Sequence, residues 1–253
     1  MKSSMNDIVS GDKSFLTEKY LYASDKERLV GLVKEMAEEV LKSILIAIES
    51  LIEADDSKAG SVIERDDMID DMEEKIDQEC LYTIAMRQPM REDLRFVYAV
   101  TKIITDLERI GDLGENIAEC SLKLLKTEEP GKSLYFSEGK PVSEEILSMY
   151  SQIEIMFKKL ITAFTNEDDG AAHEVMEMCS AFNKTGEKAV NGLIIFASAK
   201  NLSEVLYVFT NVMWTLRYLD RVGGHIMNIA ERICFIVRGV TPEYLKKKTK
   251  NRD

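Results

Sequence analysis

Carboxylates stacked at helical spacing are the residues of this chain best placed to do chemistry. In "LERIGDLGENIAE", residues 107–119, Glu108, Asp112, Glu115 and Glu119 stand at offsets of 0, 4, 7 and 11. At 100° per residue these offsets fall within about 60° of one another, so the four acids form one stripe on a helix. The run "ERDDMIDDMEEKIDQE", residues 64–79, repeats the spacing with Asp66, Asp70, Glu73 and Asp77, with Asp67, Asp71 and Glu74 alongside. Like charges four residues apart destabilise a helix by a few tenths of a kcal/mol per pair, and only two bases in that run oppose nine acids. A bound cation would remove the cost. Carboxylate oxygens are hard ligands, suited to Mg, Mn, Ca or Fe.

Three helices are needed to position these stripes. Apolar residues at Leu29, Val33, Met36, Val40, Ile44, Ala47 and Leu51 advance by threes and fours, which predicts a helix over about 24–54. A second is expected over about 64–87, because Pro89 pushes the residue before it out of the α region. A third is expected over about 90–126. If the second and third form an antiparallel hairpin turning near Pro89, residues whose numbers add to about 178 lie opposite each other. Asp66 then faces Asp112 and Asp70 faces Glu108. The candidate ligand set is Asp66, Asp70, Glu73, Glu108, Asp112 and Glu115; the alternative is an ordinary solvated acidic face, against which the matched registers count.

The chain repeats itself after 112 residues, where "LDRVGGHIMNIAE" at 219–231 aligns with "LERIGDLGENIAE" and Leu206 with Leu94. Leu, Arg, Gly, Asn, Ile, Ala and Glu recur at matched positions. Each half is therefore expected to hold three helices, the second set over about 143–166, 170–199 and 202–238, ending near Gly239 and Pro242. The expected division is an extension at 1–23, a first bundle at 24–127, a linker at 128–142 rich in Pro, Gly and Ser, a second bundle at 143–240 and a basic tail at 241–253. Gly111 and Gly223 recur in mid-helix at roughly 1 kcal/mol each relative to Ala, so close packing or room beside the acids must require them.

The second half does not repeat the acidic chemistry. Asp112 becomes Gly224, Glu115 becomes Met227, and Asp66 and Asp70 correspond to Met178 and Phe182. Asp220 and His225 are the weaker candidates there, with Asn228, Glu174 and Glu177 as further members of a shifted site.

Composition sets the outer bounds. Helix formers dominate, and four prolines and thirteen glycines are too few for the turns of an all-β fold, so an all-α protein is expected. A net charge of -12 argues against nucleic-acid binding, which needs excess Lys and Arg to neutralise phosphates. Cys80, Cys120, Cys179 and Cys234 are far apart and sit in apolar-periodic segments, as reduced core thiols of a cytoplasmic protein would. No signal peptide or membrane-spanning segment is expected. There is no nucleophile elbow, P-loop or HExxH, and neither His173 nor His225 has the Glu three residues earlier that a di-iron bundle requires.

"LERIGDLGENIAE", its echo "LDRVGGHIMNIAE" and the run "IDDMEEKIDQECLYTIAMRQPMREDLRFVYAV" at 69–100 resemble the PhoU family of phosphate-signalling regulators, over roughly residues 24–238. The resemblance implies two tandem three-helix bundles and a metal-binding protein that is not an enzyme, with Fe, Mn, Mg or Zn as the expected ions. The family's E/D-x-x-x-D element matches Glu108 and Asp112; in the second half it matches Asp220, with Gly224 in place of the acid. The implied role is a cytoplasmic adaptor, peripheral to the membrane through its partners. It restrains a phosphate ABC transporter through the nucleotide-binding subunit and couples it to a sensor histidine kinase, repressing phosphate-starvation genes. A homodimer is a further expectation. The rival readings are a regulatory module related to the cytosolic tails of sodium/phosphate cotransporters and a carboxylate-metal hydrolase.

Overall fold

The computed structural model describes residues 11–126, 141–200 and 202–240, with side chains described over 23–126, 143–200 and 205–240. The linker at 128–142, apart from its last two residues, lies outside these, as do residues 1–10 and the basic tail. Among the described residues, six helices follow one another: α1 (Gly11–Glu53), α2 (Asp56–Arg87), α3 (Glu92–Lys126), α4 (Pro141–Asn166), α5 (Asp169–Ser198) and α6 (Leu202–Arg238). No described residue lies in a strand, which makes the fold all-α. Two helix starts differ from expectation: α1 begins at Gly11 and not near residue 24, and α2 at Asp56 and not near residue 64. For α2 the reason is local. Asp55 caps the helix, its carboxylate accepting from the Lys58 backbone N–H at 3.1 Å, a start signal upstream of the acidic run.

Helix ends follow the turn chemistry of the sequence. α2 stops at Gln88, which adopts φ 50° and donates its N–H to the Ile84 carbonyl, because Pro89 beyond it can neither donate nor tolerate a helical predecessor. Asp168 caps α5 as Asp55 caps α2, accepting from Ala171 at 3.0 Å. Gly239, at φ 72°, closes α6 with its N–H on the Phe235 carbonyl at 2.9 Å.

Within each half, three helices enclose an apolar interior: α2 packs on α1 and α3, and α5 on α4 and α6. The halves then meet through α3 against α6 and α1 against α4. Three contacts fix the α3–α6 register. Arg95 Nε donates to the Ile236 carbonyl at 2.9 Å, Asp106 bonds His225 at 2.8 Å, and the Tyr207 hydroxyl reaches the Lys123 carbonyl at 3.4 Å. The partners' numbers rise on one helix as they fall on the other, so α3 and α6 are antiparallel. One hydrophobic cluster runs through both halves, from Leu29 to Ile236, with the Phe96 and Phe164 rings stacked 6.1 Å apart across the boundary. All four cysteines are buried and free, and Cys80, Cys179 and Cys234 lie within it. Among the described residues, no helix is long and apolar enough to cross a membrane.

Candidate metal centre

The α2–α3 hairpin brings the two acidic stripes together. Asp66 and Asp70 from α2 and Asp112 from α3 each offer a carboxylate oxygen within 4.8 Å of the others. Asp66 therefore sits at the level of Asp112, as the hairpin register predicts. Glu73, Glu108 and Glu115 flank this group without joining it at that distance. Gly111 makes the approach possible. A Cβ there would lie 3.2 and 3.3 Å from Ile69 carbons and 3.6 Å from Asp66 Oδ1, so the bare backbone of α3 lets α2 close on it. Ile69, fully buried, anchors α2 at this point, which leaves the half-buried Asp66 and the exposed Asp70 on the flank of the contact.

Electrostatics in the group are unfavourable to full ionisation. Burial, reinforced by the charges of Glu115, Asp70, Asp112 and Glu108, pushes Asp66 from 3.8 up to about 7. Burial also raises Asp70, with Asp112, Asp67 and Asp71 adding to it and Arg109 opposing. Glu73, Glu108 and Glu115 move upward too, burial again leading in each. Glu108 Oε2 is buried and accepts no hydrogen bond, an acceptor left unmet. Two groups act in the other direction. Arg109 donates to Asp112 Oδ2 at 2.8 Å and its Nε lies 3.3 Å from Glu108 Oε2, and the Thr105 hydroxyl donates to Glu73 at 3.4 Å. Glu119, at the far end of the stripe, is exposed and paired with Lys123 at 3.0 Å.

Three hard oxygens converging from two helices, with the unmet Glu108 Oε2 beside them, fit a divalent cation. Asp66, Asp70 and Asp112 would be its nearest ligands, with Glu108 closest in character to a fourth. Sequence reasoning missed Arg109, although its place three residues before Asp112 is the ordinary spacing of a helical ion pair.

Among the described residues, the second half gathers no comparable group of carboxylates around Asp220 and His225. His225 Nδ1 lies 2.8 Å from Asp106 of α3, and the Asn228 amide donates to the same oxygen at 3.0 Å, so both side chains bind the halves together. Asp220 pairs with Arg217 at 3.9 Å on the wall of a cleft of about 250 Å³ that Glu187 and Asn191 also line. Glu174 is paired with Lys159, and Glu177 is exposed. The physical reason is Phe182. It stands where Asp70 stands in the first half, and its ring lies so close to Gly223 that a Cβ there would be 2.7 Å from it. An apolar ring fills the level that carboxylates occupy in the first half.

Comparison with known proteins agrees with this architecture. The PhoU domain matches twice, at residues 33–121 and 146–233. The phosphate-specific transport system accessory protein PhoU homolog of Pseudomonas aeruginosa is 32% identical over 208 residues, 81% of each chain. A homolog of the same name from Methanothermobacter thermautotrophicus is 30% identical over 229 residues, 88% of this chain and 98% of its own. The crystal structure of PhoU from Pseudomonas aeruginosa superposes with a TM-score of 0.70 at 30% identity, covering 89% of this chain and all of that one. The phosphate transport system regulatory protein PhoU from Streptococcus pneumoniae shares the fold, with a TM-score of 0.76 at 22% identity over 87% of this chain and 98% of its own. These relatives carry the names of accessory and regulatory proteins, not of enzymes. With two tandem PhoU domains, three helices to each half, and this degree of likeness along nearly its whole length, the chain belongs to the PhoU family.

Proposed function

We propose that this chain regulates phosphate transport as a metal-binding adaptor. In this reading it restrains a phosphate ABC transporter by engaging the nucleotide-binding subunit, and it couples the transporter's state to a sensor histidine kinase so that phosphate-starvation genes are repressed. The observation that carries the metal part is the convergence of Asp66, Asp70 and Asp112 within 4.8 Å, in a chain whose relatives are named for the phosphate-specific transport system.

Asp66, Asp70 and Asp112 would hold the ion, with Glu108, Glu73 and Glu115 around them. A bound ion supplies positive charge and vacant coordination positions to which an acidic group of a partner can attach. The chain's own residues do the rest. Gly111 and Ile69 set the spacing of the two helices, and the exposed acids Asp67, Asp71 and Glu74 present a negative field that favours basic patches on a partner.

Elemental analysis of untagged protein purified without chelator, beside Glu108→Ala/Asp112→Ala, tests the metal part. Stoichiometric metal in the wild type and its loss in the variant are expected. Protein that stays metal-free after soaking in Mn, Fe and Mg would remove it. Capture of the purified nucleotide-binding subunit and of the kinase's cytosolic portion, each with and without added metal, tests the adaptor part; no capture of either would remove that.

A further inference from the structure

The carboxylate group already contains a cation of its own. Arg109 projects from α3 between Glu108 and Asp112, with Nη1 2.8 Å from Asp112 Oδ2 and Nε 3.3 Å from Glu108 Oε2. It thereby occupies one of the three converging carboxylates. Its positive charge also acts on Asp70 across the hairpin. Half of the Arg109 side chain remains in solvent, at 54% exposure, so the guanidinium can leave Asp112 without rearranging the core.

We infer that Arg109 is the built-in counter-cation of this site, holding Asp112 while the site is empty and competing with the metal ion for it. The inference rests on the metal-binding reading above. Two consequences follow from the charge and the geometry. In the empty state Arg109 offsets part of the repulsion among Asp70, Glu108 and Asp112, which lets α2 and α3 stay closed without a ligand. In the filled state the ion takes the Asp112 oxygen and the guanidinium swings outward, so loading is signalled at the surface by a freed arginine. Affinity is set by this competition and so is lower than the carboxylates alone would give.

The repeat provides the control. Arg221 stands at the matched position of α6, is exposed, and is followed by Gly224 where the first half has Asp112. Arg221→Gln changes net charge as Arg109→Gln does, without touching the carboxylate group. Mn(II) is titrated calorimetrically into chelator-stripped wild-type protein, Arg109→Gln, Arg109→Lys and Arg221→Gln. Arg109→Gln is expected to bind roughly tenfold tighter than wild type, since it removes both a nearby positive charge and a bound competitor. Arg221→Gln should match wild type within about twofold and Arg109→Lys should fall between wild type and Arg109→Gln. Binding by Arg109→Gln that equals or trails the wild type overturns the inference and leaves metal binding intact. Equal tightening in both glutamine variants overturns it as well, because the effect would then be one of overall charge. Absence of binding in all four proteins removes the metal reading itself and this inference with it.

Discussion

At the scale of the residue, Asp66 carries the clearest consequence. Its folded-state value near 7 exceeds its unfolded value of 3.8, so the folded chain keeps a proton that the unfolded chain releases in between. Stability contributed at this position is present in acid and lost as pH rises through that window. Metal-stripped protein should therefore unfold at a lower urea concentration at about pH 8 than at about pH 5, and Asp66→Asn should flatten that difference and raise the midpoint at the higher pH. An unchanged slope in Asp66→Asn would show that other groups govern it. Glycine supplies a second test. Gly111→Ala meets Ile69 carbons at 3.2 and 3.3 Å, a tight contact offset by the roughly 1 kcal/mol that Ala gains over Gly in a helix. Gly223→Ala meets the buried, rigid Phe182 ring at 2.7 and 2.8 Å and is expected to cost about 2 kcal/mol net. Chemical denaturation should rank Gly223→Ala as the less stable of the two.

At the scale of the element, the helices show how much the sequence disclosed. Apolar periodicity places α1, Pro89 the end of α2 and the 112-residue repeat the helices of the second half, and two stripes with one spacing, folded about Pro89, bring Asp66 opposite Asp112. Helix starts were less legible, because a cap such as Asp55 acts before the periodic pattern begins, and the pattern near residue 64 reads as a start only because it is so acidic. Asp55→Ala is expected to cost about 1 kcal/mol and to fray the first turn of α2, which thermal melts would detect. What the second half does was not legible either. His225 among acids looks like a ligand in one dimension, while its partner Asp106 lies 119 residues earlier on the facing helix, a pairing that no local spacing reveals. A double-mutant cycle on Asp106→Ala and His225→Ala should give a coupling of about 1 kcal/mol. No coupling would mean that packing alone holds α3 against α6.

At the scale of the whole molecule, the two repeats share one hydrophobic interior, and the Phe96–Phe164 stack and the α3–α6 seam cross between them. Duplicated sequence therefore does not mean independent folding units. Thermal unfolding should be a single transition, with Phe96→Ala, a fully buried ring, costing about 3–5 kcal/mol and lowering that one transition without splitting it. Two resolved transitions would show that the halves melt separately.

The same seam has a mechanical meaning. Asp112 turns toward α2 and Asp106 toward α6, and the six residue steps from one to the other span roughly 9 Å of a single unbroken helix. That rod belongs to both halves at once. A rigid displacement of α3 where the carboxylates meet would also move Asp106 against His225, so one helix ties the geometry of the acidic half to that of the other.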